Sequence, residues 1–185
     1  MTSSSLRKLV LIPFFSALTA VGAFLKIPTP IVPFTTQYLF CAYSGVFLGA
    51  RGGLISQLLY VGIGLMGFPV FAKGGGITYV FQPTFGYLLG FIGCAFVVGH
   101  IVGDGRPTFL RAWAASLAGL ALVYLVGVSY LYFVLNFYAG KPISFGKAIS
   151  IGFLPFIGPD LFWTLVVAYT ASRVKPRLVA ALSSA

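Results

Sequence analysis

The sequence predicts an all-α integral membrane protein: a bundle of six transmembrane helices with both termini in the cytoplasm. The first observation is that 59% of the 185 residues are hydrophobic and only 8% are charged. The mean hydropathy is +1.01, more apolar surface than a water-soluble domain of this length could bury. The second and third observations are the lengths of the charge-free runs and the positions of the cations between them.

Charged residues divide the chain into apolar runs, and a membrane-spanning helix needs about 20 apolar residues. The runs predict helices at 9–25, 35–50, 53–67, 83–103, 110–137 and 159–173. The second and third are joined by the tight turn Leu48–Gly53, which is long enough only for an antiparallel pair. We expect one transmembrane domain over 1–185.

The net charge of +10 would suggest nucleic acid binding in a soluble protein, but here the cations lie at helix ends. Cytoplasmic loops of membrane proteins carry an excess of Lys and Arg, so we expect a lipid bilayer and no nucleic acid. With the N-terminus inside, the cytoplasmic cations are Arg7, Lys8, Arg51, Arg106, Arg111, Arg173, Lys175 and Arg177. The external ones are Lys26, Lys73, Lys141 and Lys147.

The first apolar run admits two interpretations: a signal peptide, because Val21-Gly22-Ala23 resembles a cleavage site, or a retained first span, which we favour. Ser16 and Ala20 form a small-xxx-small pair, which lets another helix approach closely. That partner is either a helix of this protein or a separate subunit docking there.

The loop 26–34 contains Pro28, Pro30 and Pro33, so we expect it to be stiff and extended. The second helix opens with a polar cluster that includes Gln37, whose amide has two donors and an acceptor. Of this cluster, Gln37 is the side chain we expect to face inward.

The stretch Gly67–Gly76 lies between two apolar segments, yet Pro69 and the triple glycine Gly74–Gly76 exclude a helix there. An irregular backbone at membrane depth is tolerated only inside protein or beside a wet cavity. The stretch is therefore either a cap over a site or an ordinary external loop.

The chain has two acidic residues. Asp104 lies in a predicted cytoplasmic turn. Asp160 lies about 20 Å above the inner surface, after Pro155 and Pro159, which we expect to break the helix just before it. A carboxylate costs at least ~2.5 kcal/mol at this depth, so it should face the bundle and have a partner. It either accepts hydrogen bonds from a ligand or has a structural role, capping its helix or pairing with a lysine.

Motifs of enzymes are missing from the sequence. Gly74–Gly76 is not followed by the Gly-Lys-Ser/Thr of a phosphate-binding loop, so we expect no ATPase activity from this chain. One histidine, His100, and two separated cysteines do not make a metal site. We therefore predict no catalytic residues, no metal and no cofactor.

Several short segments carry a resemblance to a known family: Ala17–Ala23, Pro33-x-Thr35-x-Gln37, Leu48-Gly49-x-Arg51, Leu65-x-Gly67-x-Pro69-Val70-Phe71-Ala72, Pro83-Thr84-x-Gly86 through Phe91, and Asp160-Leu161. In this order and spacing they resemble the BioY family, the biotin-specific S components of energy-coupling-factor (ECF) transporters. The resemblance covers nearly the whole chain.

The resemblance implies an S-component-type bundle, with 1–185 as a single transmembrane substrate-binding domain. It also implies a multi-pass protein of a bacterial-type cytoplasmic membrane that captures external biotin under its loops. It also implies two kinds of partner, a transmembrane scaffold subunit and two ATPase subunits. The family's docking motif on the first helix is Ala-x-x-x-Ala, and Ser16 and Ala20 are the nearest match.

The family commonly has Gly-Asp-x-x-Lys at the last helix, whereas this chain has Trp163 at the lysine position. We expect Lys73 to pair the ligand carboxylate instead, and Asp160 with Gln37 or Gln82 to bind the ureido group. The ring and chain of biotin need apolar walls, which we assign to Tyr87, Phe85, Trp163 and Tyr43. An S component for another vitamin, a structural or assembly protein, and a stand-alone channel or carrier are the competing functions.

Overall fold

The computed structural model describes residues 3–28 and 31–183, and within them the chain is a helical bundle. The helices are α1 (Ser3–Phe24), α2 (Gln37–Leu65), α3 (Phe85–Val102), α4 (Phe109–Phe133), α5 (Phe145–Gly152) and α6 (Leu154–Ser183). By length and composition, four segments could cross a membrane: Gln37–Leu65, Phe85–Val102, Phe109–Tyr138 and Leu154–Arg177. Leu9–Phe24 is a shorter apolar helix. The chain is thus a multi-pass membrane protein.

Helix α2 is two helices that meet at a sharp bend at Gly49, with φ 73° and ψ 179°. The halves fold back on each other, because a Cβ on Gly53 would lie 2.9 Å from the Gly45 Cα. An L-residue with a side chain rarely adopts this φ. The predicted helices 35–50 and 53–67 are therefore present as an antiparallel pair, and the turn between them is shorter than Leu48–Gly53.

Helix α3 lies in the centre of the bundle, packed against α2 on one side and α4 on the other. Helix α1 packs on α2, and α6 packs on both α4 and α2. At one end of the bundle lie the bend of α2 and the connection between α3 and α4, with Arg51, Arg106 and Arg111 in or beside them; we call this the arginine end. The opposite end carries the connections 25–36, 66–84 and 139–144, and we call it the loop end.

At the loop end, two short strands and a 3₁₀ helix replace the simple connections expected from the sequence. Strand β1 (Lys26–Ile27) pairs antiparallel with β2 (Phe34–Thr35); Pro30 lies outside the described residues. As predicted, Gly67–Gly76 is not helical, and its Gly76 N–H bonds back to the Gly64 carbonyl at 2.7 Å. The 3₁₀ helix Ile77–Phe81 then leads to α3.

The expectation that Pro155 and Pro159 end the helix just before Asp160 is wrong. Helix α6 begins at Leu154 and runs through Pro159, so Asp160 lies in about its second turn. Pro155 falls in the first turn, where helical N–H groups have no intrahelical partner, so the ring is tolerated there. The short helix α5 before it was not predicted.

Candidate ligand-binding site

A cavity opens among the helices at the loop end and encloses about 580 Å³ of empty space, including its mouth. The connections between α1 and α2 and between α2 and α3 form part of its wall, and α2, α3, α4 and α6 form the rest. Its lining residues are Val32, Pro33, Phe34, Thr35, Gln37, Tyr38, Ala72, Tyr79, Thr84, Tyr87, Leu88, Phe91, Val123, Tyr124, Phe156 and Asp160.

Asp160 lies in the wall of this cavity and is 8% exposed. Its Oδ2 accepts a hydrogen bond of 2.5 Å from the Tyr124 hydroxyl of α4. Within the described residues, Oδ1 makes no hydrogen bond, and this oxygen is not fully enclosed by protein. The partner of Asp160 is thus a tyrosine, neither a lysine nor the backbone of its own helix, and one carboxylate oxygen is left free beside the cavity.

Gln37 also lines the cavity and is held by a chain of hydrogen bonds. Its Nε2 donates to the Tyr60 hydroxyl at 2.7 Å, and Tyr60 donates to the Val70 carbonyl at 3.0 Å. Its Oε1 accepts from the Thr35 hydroxyl at 3.1 Å. These contacts leave one N–H of the Gln37 amide without a bond among the described residues, a donor for a ligand acceptor.

The remaining hydroxyl groups of the lining are mostly bonded to the protein. Tyr87 donates to the Gly152 carbonyl and Tyr38 to the Ser116 carbonyl, both at 2.8 Å. The Thr84 hydroxyl donates to Tyr79 at 3.1 Å. The site therefore has a few polar groups fixed in place within a mainly apolar and aromatic wall, in which Phe34 and Phe156 stack with ring centroids 6.3 Å apart.

Two lysines tie the loops at the cavity mouth to each other. Lys73 Nζ donates to the Ile31 carbonyl at 2.7 Å, and Lys26 Nζ donates to the Ala72 carbonyl. Burial and the charge of Lys26 lower the pKa of Lys73. The structure thus places the exposed Lys73 outside the cavity lining, on the loop that covers it.

Four other residues assigned to the site are not in the cavity wall. Gln82 is exposed beyond the 3₁₀ helix, and Phe85 is buried against the Tyr130 ring, 5.8 Å away. Trp163 packs beside Phe162 at 5.3 Å. The Tyr43 hydroxyl accepts from Thr170 at 2.9 Å, further along the bundle. Of the predicted set, the structure brings Asp160, Gln37 and Tyr87 together.

Ser16 faces the interior of the bundle, because its hydroxyl donates to the Ser56 carbonyl of α2 at 2.6 Å. Ala20 is half-buried and packs against the core. This pair is therefore packed within the chain, and the exposed face of α1 is carried by residues such as Phe14, Ala17 and Val21. A docking face made of Ser16 and Ala20 does not agree with this orientation.

The sequence analysis missed Tyr124, Tyr38, Thr84 and the segment Val32–Phe34. Tyr124 lies in the middle of an otherwise apolar run of α4, and a tyrosine hydroxyl at membrane depth needs a hydrogen-bond partner. Asp160 is an acid at a similar depth in the membrane. The need of the Tyr124 hydroxyl for a partner is therefore the signal that could have identified the Tyr124–Asp160 pair.

Known proteins resemble this chain over most of its length. A probable biotin transporter BioY of Lysinibacillus sphaericus is 47% identical over 92% of this chain and 87% of the relative. The biotin transporter BioY of Thermotoga maritima is 42% identical over 92% of this chain and 96% of the relative. Among solved structures, a crystal structure described as the S-component for biotin from an ECF-type ABC transporter has a TM-score of 0.71.

That structure is 24% identical in sequence and aligns with 95% of this chain and 94% of its own, so it shares the fold. A model described as the BioY family matches residues 1–180. With the match over this range and the identities of the relatives, the chain belongs to the BioY family.

Proposed function

We propose that this protein captures biotin at the loop end and serves as the substrate-specific S subunit of an ECF transporter. The observation that carries the proposal is Asp160, a buried carboxylate with one oxygen bonded to Tyr124 and the other free, in the wall of the cavity at the loop end. The free Oδ1 suits an N–H of the ureido group, and the free N–H of Gln37 suits its carbonyl. The names of the relatives support biotin as the ligand.

The rest of the assembly follows from the same proposal. The loop end faces the exterior, and both termini lie on the cytoplasmic side of a bacterial-type cytoplasmic membrane. A transmembrane scaffold subunit and two ATPase subunits supply docking and ATP hydrolysis, and the chain itself uses no metal and no other cofactor. The bias of arginines toward one end supports this orientation.

The proposal is tested by ligand-dependent stability of the purified protein in detergent. A ligand at 100 times its Kd stabilises the folded state by about 2.7 kcal/mol, so biotin should shift the unfolding transition strongly. A panel of other vitamins and heterocycles serves as the control. A shift by one of these instead of biotin would mean an S component for another ligand, and no shift by any would favour a structural role.

The orientation is tested separately with single cysteines. Lys141→Cys at the loop end should react with a membrane-impermeant maleimide on intact cells, whereas Arg106→Cys at the arginine end should react only after lysis. The reverse pattern would invert the proposed topology. Cys41 and Cys94 are buried and give a low background.

A further inference from the structure

Tyr124 occupies a position that the proposed binding of biotin alone does not require. Its hydroxyl donates to Oδ2 of Asp160, and its ring lies edge-on to Phe153 with centroids 4.8 Å apart. Tyr124 also borders a second, apolar groove between α4 and α6, lined by Leu117, Leu120, Ala121, Leu125, Phe153, Ile157 and Leu161. The side chain therefore stands between the polar cavity and this groove, with its only polar atom turned to Asp160.

The consequence for Asp160 is that its two oxygens are not equivalent. Oδ2 already accepts a short hydrogen bond from a buried tyrosine, whereas Oδ1 accepts none within the described residues. A free carboxylate can accept two parallel N–H bonds, as it does from a guanidinium group. Here the Tyr124 hydroxyl already uses one lone pair of Oδ2, so an N–H that approached Oδ2 would have to share this oxygen with the tyrosine. Oδ1 is therefore the better of the two acceptors.

A single carboxylate acceptor suits a ligand that presents a single hydrogen-bond donor on the side facing Asp160. In a cyclic ureido group, each ring N–H lies beside a carbonyl oxygen, so that edge offers a single donor. In the guanidino analogue, an exocyclic N–H replaces the carbonyl, and the same edge offers two parallel donors. A carboxylate with both oxygens free would favour the second edge, because charged bidentate pairs are the stronger ones.

We propose that Tyr124 is a specificity-determining residue, an inference that rests on the proposed function. By occupying Oδ2 of Asp160, Tyr124 makes the site select a ureido group over a guanidino group. The tyrosine does this through the carboxylate and need not touch the ligand itself. Specificity of this kind comes from blocking the competitor's contact rather than from adding one for the ligand.

The test compares biotin with 2-iminobiotin, its guanidino analogue, in binding measurements on purified protein. The variant is Tyr124→Phe, which keeps the ring against Phe153 and removes the hydroxyl. The expected result is that the ratio Kd(2-iminobiotin)/Kd(biotin) falls by about tenfold, because a second charged hydrogen bond becomes available to the analogue. A tyrosine with a purely structural role would weaken both ligands alike, and an unchanged ratio would overturn the proposal.

Two controls separate this effect from general damage. Tyr130→Phe also removes a hydroxyl, one that donates to the Val80 carbonyl outside the cavity lining, and it should leave the ratio as in the wild type. In an Asp160→Asn background, the Tyr124→Phe change should no longer alter the ratio; a shift that persists there contradicts the mechanism. Tyr124→Leu, which also lacks the donor, provides a second variant should Tyr124→Phe fold poorly.

The wild-type protein tests the two proposals separately. If it binds no biotin, the proposed function fails irrespective of Tyr124. If it binds biotin and Tyr124→Phe leaves the ratio unchanged, only the role of Tyr124 fails.

Discussion

Between α3 and its neighbours, glycine has different uses at the two ends of the bundle. At the arginine end, glycines bring backbones together: a Cβ on Gly99 would lie 2.5 Å from the Ala50 amide nitrogen, and one on Gly45 would lie 2.4 Å from the Ala95 carbonyl oxygen. At the loop end, Gly127 makes room for a ring instead, because a Cβ there would lie 2.5 Å from the Tyr87 Cδ1. That ring is part of the cavity wall.

This difference shows how one set of helices can be both tightly packed and hollow. Backbone contact at the arginine end allows no space between α2 and α3 and fixes their crossing point, as small residues do in membrane helix packing. At the loop end, the aromatic ring of Tyr87 lies between α3 and α4 and forms part of the cavity wall. Substitutions at the two ends should therefore separate ligand affinity from stability.

The largest effect on ligand affinity is expected at the loop end, for Asp160→Asn. The change keeps the shape of the side chain but removes its charge, so biotin binding should weaken by about 1.5–3 kcal/mol. Asp104→Asn is the matched control, because Asp104 is the other acid of the chain and lies exposed at the arginine end. Isothermal titration of both variants decides the matter: equal affinities for Asp160→Asn and wild type would remove Asp160 from the site.

The next effect is expected on stability, for Gly99→Ala at the arginine end. The added methyl group meets backbone atoms that cannot move aside easily, and overpacking of this kind costs about 1–3 kcal/mol. Gly62→Ala is the control: it also lies in a helix, but nothing is within 4 Å of its added Cβ, so it should be neutral or stabilising. Unfolding in detergent gives the comparison, and equal stabilities of the two variants would contradict backbone contact at Gly99.

The smallest effect is expected for Lys73→Ala on the loop over the cavity. An exposed ion pair contributes about 0.2–1 kcal/mol, so pairing of Lys73 with the ligand carboxylate should be worth no more than this. The expected loss of biotin affinity should shrink in high salt, because salt screens exposed charges. Lys147→Ala, another exposed lysine, is the control. Unchanged affinity at low salt would exclude Lys73 as the partner of the carboxylate.

Asp160 could be identified from the sequence because a carboxylate at membrane depth carries a cost that demands a partner. Phe85 lies outside the cavity wall for a geometric reason. Successive helix residues are rotated by about 100°, so Phe85 and Tyr87 point in nearly opposite directions from α3. Thr84, Tyr87, Leu88 and Phe91 share the face that lines the cavity.

Trp163 lies on the helix predicted for it, but outside the cavity wall. It follows Asp160 by about one turn, yet it packs against Phe162 and the core outside the cavity wall. The sequence pattern of one helix predicts which face of the helix a residue lies on. The depth at which the cavity ends depends instead on the side chains that neighbouring helices place at that depth.

The sequence by itself determined that the chain spans a membrane, where its apolar runs lie, and that one acid within these runs needs a partner. It could do so because the free-energy cost of placing polar groups in hydrocarbon depends only on composition and on position along the chain. The tertiary structure decided which oxygen of that acid is free, which loops cover the cavity, and that Lys73 bonds across them to Ile31. These features depend on contacts between residues far apart in the chain, such as Tyr124 with Asp160 and Gln37 with Tyr60. Such contacts form only when packing brings separate helices to the same level.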